Sequence, residues 1–162
     1  MVQRLILMRH AKSSWQDPFA EDHARKLNPR GIRSARALGD WLRAKGHLPD
    51  EVLCSDARRT QETYAGLELA TPVTFLPGLY HASADQMMDA LQRATGGTVL
   101  MIGHNPGIAD FAARLLDKAP DHPRFHDYPT GATLIADFAL PWEALTWGSG
   151  TARDFVVPRE LA

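Results

Sequence analysis

Short, unbroken apolar runs alternate along the chain with stretches of helical periodicity, a pattern that predicts an α/β layered fold. The runs VQRLILM (2–8) and GTVLMIG (97–103) read as buried strands. EVLCS (51–55), VTFLP (73–77), ATLIADFAL (132–140) and RDFVV (153–157) read as further strands. Between them, Asn28-Pro29 marks a helix start, because Asn caps free amides and Pro at the first helical position has no N–H to leave unpaired. Ile32, Ala35, Leu38, Trp41 and Leu42 form its apolar stripe, and Gly46 stops it.

Ser55 or Asp56 is expected to cap a second helix running to about Leu69, with Tyr64 and Leu67 inward. A third spans 84–94 through Met87, Met88 and Leu91. A fourth repeats the Asn-Pro start at Asn105-Pro106 and buries Ile108, Phe111, Leu115 and Leu116. The polar stretches Gln16–Lys26 and His122–Tyr128 read as surface loops.

The length of 162 residues suits one domain over 1–162, with helices on both faces of a mainly parallel sheet in a three-layer α/β/α sandwich. A net charge of -1 gives no global basic field, so neither extended nucleic-acid binding nor an anionic membrane surface is expected. Any anion site must therefore be local. Cys54 is the only cysteine, which excludes an intramolecular disulfide, a zinc knuckle and a CxxC pair; inside a short strand it reads as a small buried hydrophobe. The segment 1–8 is too short for a secretory signal and no run approaches ~18 apolar residues, so a reducing cytoplasm is the expected location.

Chemistry gathers where predicted strands end. Arg9-His10, Ser55 with Arg58-Arg59, and His104-Asn105 each follow an apolar run, and the carboxyl edge of an open α/β sheet is where ligands bind. Helix N-termini favour an anion there, and several arginines make phosphate the fitting one, since a guanidinium forks onto its oxygens. One neutral imidazole would attack phosphorus while the other stabilises the transition state; the residues alone do not rank His10 and His104. Lys12, Ser13 and Ser14 either reach phosphate or cap the turn. With no HExxH and no Asp/Glu cluster at strand ends, no metal or cofactor is expected. His23, His47, His122 and His126 lack ligand spacing and read as surface residues, and Trp142 and Trp147 as packing under a loop.

LMRHAKSS resembles the RHG signature of the histidine phosphatase superfamily, the phosphoglycerate-mutase-like enzymes, with Ala11 where most members have Gly. CSDARRTQET is similar to that superfamily's S-P-x-x-R-A-x-Q-T segment, and IGHNPG to its second-histidine motif. The resemblance implies a phosphoglycerate-mutase-like fold, His10 as the phosphorylated nucleophile, Arg9 and Arg59 as phosphate ligands, and His104 as the second pocket histidine. Arg58 is the lesser claimant, because Arg59 lies four residues after Ser55 and four before Thr63. Within the superfamily, the length, the RHA variant and DHARKLNPRG look most like the SixA-type phosphohistidine phosphatases. That implies Arg25 as a further phosphate ligand, with Leu27 and Gly31 structural, and Ser13 is added to the candidate phosphate-binding residues.

Mutase and sugar-phosphatase members carry a carboxylate acid in a segment matching LPGLYHASAD, where this chain has Leu79, Tyr80 and His81, with Asp85 further on. An alkoxide leaving group needs a proton, whereas the imidazole of a phosphoramidate leaves more readily. The expected activity is hydrolysis of a phosphohistidine-containing protein through phospho-His10, releasing inorganic phosphate without a metal. The rivals are a small phosphorylated substrate with His81 or Asp85 as acid, and a non-catalytic phosphate-binding module. No GxxxxGK[ST] or GxGxxG supports a nucleotide fold.

Overall fold

A computed structural model describes residues 2–161, and within them strands and helices alternate as the hydrophobic pattern requires. In chain order, β1 is Gln3–Arg9, α1 Pro29–Lys45, β2 Glu51–Ser55, α2 Arg58–Leu67 and β3 Val73–Leu76. Then follow α3 at Ala84–Gln92, β4 at Thr98–Gly103, α4 at Gly107–Leu115, β5 at Thr133–Phe138 and β6 at Thr151–Val156. The sheet order is β3-β2-β4-β1-β5-β6. β3, β2, β4 and β1 pair in parallel, while β5 and β6 add antiparallel on the other side of β1.

Successive strand residues point to opposite faces, so a strand covered on both sides must be apolar at every position. Leu5 and Leu7 of β1 pack with Val99 and Met101 of β4 against α3 and α4, through Met87, Leu91, Ile108 and Phe111. Ile6 and Met8, with Leu100 and Ile102, face α1 and α2 through Leu38, Leu42 and Leu67. The result is the three-layer α/β sandwich with a mainly parallel sheet. Each of these fully buried leucines contributes about 1.5–3 kcal/mol by leaving water.

α1 starts as expected: Asn28 accepts from the Gly31 amide, Pro29 opens the first turn, and Gly46 ends the helix at φ 72°. Its buried face runs through Gly31, Ala35, Leu38 and Leu42, which leaves Ile32 one position off the stripe and 51% exposed, against expectation. Gly31 permits a close approach, since a Cβ there would lie 2.1 Å from the Lys12 carbonyl oxygen. That contact seats the segment after β1 directly on α1.

Two expected helix starts shift. α2 begins at Arg58 with Ala57 at its cap position and no side-chain cap, because the Ser55 hydroxyl instead meets His104 and accepts from the Ala57 amide. α4 begins at Gly107 rather than at the Asn-Pro pair, although Asn105 still accepts from the Ala109 amide at 3.2 Å. α3 carries a full capping box between Ser83 and Gln86. Trp142 is buried and donates to the Gly96 carbonyl, while Trp147 is 37% exposed against Phe111 and Arg114. Among the described residues no helix is long and apolar enough to cross a membrane.

Candidate active site

Because β1, β2 and β4 are mutually parallel through β4, their carboxyl ends open on one sheet edge. Arg9 closes β1 opposite Gly103 of β4, and the His10 amide donates to the Gly103 carbonyl at 3.1 Å. His10 and His104 therefore emerge side by side, with ring centroids 5.2 Å apart and planes at 51°. Ser55, the last residue of β2, completes the row.

Each histidine is buried and held on one nitrogen. His10 Nδ1 lies 2.7 Å from the Ala11 carbonyl oxygen, which only an N–H can satisfy. The proton therefore sits on Nδ1 and the Nε2 lone pair stays free. The Ala11 amide in turn donates to Thr63 of α2, so the backbone beside the ring is fixed. His104 Nε2 lies 2.7 Å from the Ser55 hydroxyl, and its buried Nδ1 has no protein partner. A neutral His104 that accepts from Ser55 presents Nδ1–H as a donor. Burial first, then the neighbouring arginine charges, lowers the His10 pKa to about 3. Burial, His10 and Arg59 do the same for His104, also to about 3. Both rings are neutral at neutral pH.

Three guanidinium groups surround them. Arg9 donates to the Tyr128 carbonyl at 3.2 Å, and its buried Nε is unpartnered. Arg59, on the first turn of α2, is 4% exposed; its Nη1 and Nη2 donate to the backbone oxygen and carboxylate of Asp22 at 2.6 and 3.0 Å. Arg25 reaches the same carboxylate from the loop through Nε and Nη2 at 3.2 and 3.0 Å, and donates to Ser13 at 3.0 Å. Three cations against one carboxylate leave the site two positive charges in excess, matched to a phosphoryl dianion.

Of the residues singled out from the sequence, Arg9, His10, Arg25, Arg59 and His104 come together. Ser13 joins them through Arg25, as the acceptor that positions its guanidinium. Arg58 turns outward to Glu62, and Lys12 is exposed. Asp85 lies on the surface of α3 with its carboxylate 3.5 Å from Arg114. His81 stands at the mouth with its side chain 64% exposed, 3.7 Å from Asp22. Cys54 is buried and its thiol is pushed up to about 12 by burial, which makes it inert.

Asp22, Tyr80 and Ser55 in its role toward His104 were not legible beforehand. Asp22 sits on a single helical turn inside the polar loop, and Tyr80 donates its hydroxyl to the same carboxylate. Burial alone raises the Asp22 pKa, but the hydrogen bonds from Tyr80, Arg59 and Arg25 outweigh it and hold the carboxyl well below the usual range. An Asp three residues before Arg25, in register to pair with it, was the available signal.

The chain belongs to the histidine phosphatase superfamily, branch 1, whose family model matches residues 5–87. Within it the similarity is to the SixA-type branch. A solved structure from Nakamurella multipartitia that carries the name SixA is 29% identical, with a TM-score of 0.86 over 98% of this chain and 97% of that one. SixA complexed with tungstate shares the fold at 23% identity and a TM-score of 0.81, over 99% and 100% of the two chains. An uncharacterized protein of Mycobacterium tuberculosis is 35% identical over 159 residues, covering 94% of this chain and 100% of the relative.

Proposed function

We propose that the protein hydrolyses phosphohistidine on a protein through a covalent phospho-His10 intermediate. The observation that carries this reading is the His10 ring, buried near the three guanidinium groups and tied through Nδ1 to Ala11, which leaves Nε2 as its free nitrogen. In the first step Nε2 bonds to phosphorus as the substrate's imidazole–phosphorus bond breaks, and the departing imidazole takes a proton from solvent. In the second, water attacks phosphorus, the His10–phosphorus bond breaks, and inorganic phosphate leaves. Arg9, Arg25 and Arg59 neutralise the phosphoryl oxygens, and His104 donates to the charge that builds at the transition state.

Leaving-group chemistry supports phosphohistidine over a monoester. Among the described residues the carboxylate in the pocket is Asp22, which its arginine and tyrosine partners keep ionised and so unable to give a proton to an alkoxide. A SixA structure holding tungstate, a tetrahedral oxyanion, is consistent with a phosphoryl seat in this fold. His81 at the mouth keeps open a second reading, a phosphomonoesterase with His81 as the acid.

Phosphate release from a phosphohistidine peptide and from sugar phosphates, each with and without a chelator, tests the proposal. We expect the phosphohistidine peptide to turn over faster, at a rate indifferent to chelation and unchanged in His81→Ala. Faster release from sugar phosphates overturns the substrate, and loss of activity on chelation overturns metal independence.

A further inference from the structure

On the Arg9 side the site opens into a depression for which hydrolysis has no use. A cavity of 380 Å³ runs outward from Arg9 and is lined by Lys12, Arg30, Arg124 and Arg159. A second hollow of 380 Å³ shares Arg30, Ser34 and Arg159 with it and adds Arg33. Together they form one cationic stripe leading away from the histidines. Its single lining carboxylate, Asp127, is already taken by Arg124 at 2.8 Å.

Composition does not account for this stripe, because the chain as a whole carries a net charge of -1. Lys12, Arg30, Arg33 and Arg159 are exposed and, among the described residues, none forms an ion pair. Arg30 and Arg33 lie at the N-terminal end of α1, whose first turn has no acidic residue, although the helix dipole disfavours cations there. Both positions cost the helix stability, and an external anion reverses the sign. At the inner end, the buried Nε of Arg9 lacks a partner.

We propose that this stripe docks an acidic face of the protein that carries the phosphorylated histidine, an inference that rests on the function proposed above. Its extent selects a macromolecule over a small bisphosphate: a second phosphate is met by the inner cavity alone and leaves Arg33 unused. Next to the site, Trp15 is 71% exposed and lies against the Arg25 guanidinium at 3.6 Å. Charge complementarity of this kind steers encounter and fixes register, and it weakens with salt.

The test compares wild type with the surface double variant Arg30→Glu/Arg159→Glu. Three phosphorylated probes are used: a carrier protein with carboxylates around its phosphohistidine, the same carrier with those carboxylates neutralised, and free phosphohistidine. Fluorescence titration with the unphosphorylated acidic carrier measures binding apart from turnover. We expect KM for the acidic carrier, and the titrated Kd, to rise about tenfold in the variant with kcat unchanged, as two surface attractions become repulsions. Kinetics on free phosphohistidine stay the same, and neutralising the carrier abolishes the difference. Equal Kd and KM of wild type and variant for the acidic carrier overturn the docking surface. If none of the three phosphohistidine probes is hydrolysed by wild type while the charge-dependent Kd persists, the proposed function falls and the docking surface stands.

Discussion

Arg59 grips Asp22 twice, at 2.6 Å on its backbone oxygen and at 3.0 Å on its carboxylate, so a buried arginine of α2 anchors the turn that also carries Arg25 to the site. The loop is thereby tied to the sheet edge through the same guanidinium groups that would bind a phosphoryl group. His23 reinforces it by meeting Asp56 at 2.9 Å.

Removing that carboxylate leaves Arg25 and Arg59 without their shared acceptor. Asp22→Ala is expected to lower kcat/KM for phosphohistidine by roughly tenfold, the scale on which losing an orienting partner degrades a site. Asp22→Asn, which keeps the shape, should lose less. Steady-state kinetics with a circular dichroism control check this; full activity in Asp22→Ala contradicts the orienting role.

His104 and Ser55 separate direct from indirect action. His104→Ala removes a donor aimed at the developing charge and should reduce kcat by about 10²–10³. Ser55→Ala only frees the His104 ring, so its loss should be far smaller, and rapid-quench measurement of the phosphoryl-transfer step resolves the two. Equal losses would place Ser55 in the chemistry itself.

The two buried histidines make stability depend on pH. Their folded pKa of about 3 lies below the ordinary 6.5, so as pH falls from 6.5 the unfolded chain takes up protons that the folded chain refuses. Stability must drop across that window, on the order of 1.4 kcal/mol per pH unit for each histidine. Urea unfolding between pH 6.5 and 5.5, above the range of the carboxylates, reads the slope. His10→Gln should flatten it by about half; an unchanged slope contradicts the buried neutral ring.

Gly31 tests how the strand end is seated. A methyl group there meets the Lys12 carbonyl, a backbone atom that cannot swing away. Gly31→Ala should destabilise by about 1–3 kcal/mol, visible as a lowered Tm, and reduce activity by shifting Ser13 and Arg25. A Tm equal to wild type rules out the close approach.

Layers and core were legible because strands buried on both faces leave continuous apolar runs, and Leu5 to Met8 show the signal undiluted. Ile32 misled because a small residue, Gly31, occupies the buried position beside it, and an apolar count has no weight for a glycine that lets backbones touch. Ser55 misled for the opposite reason: a tertiary partner, His104, outbid the local cap. Arg9, His10, Arg59 and His104 were readable because strand ends and motif spacing fix their places. Asp22 and Tyr80 were not, since their meeting spans 58 residues and depends on how a loop folds back. Nothing periodic marks such a contact.

In the proposed reaction the phosphoryl group passes through His10 Nε2. Quenching the enzyme with labelled phosphohistidine peptide during turnover, then mapping the acid-labile phosphate by mass spectrometry, addresses it most directly. Label is expected on His10 alone, with neither label nor turnover in His10→Ala. Label on another residue, or undiminished turnover in His10→Ala, contradicts it.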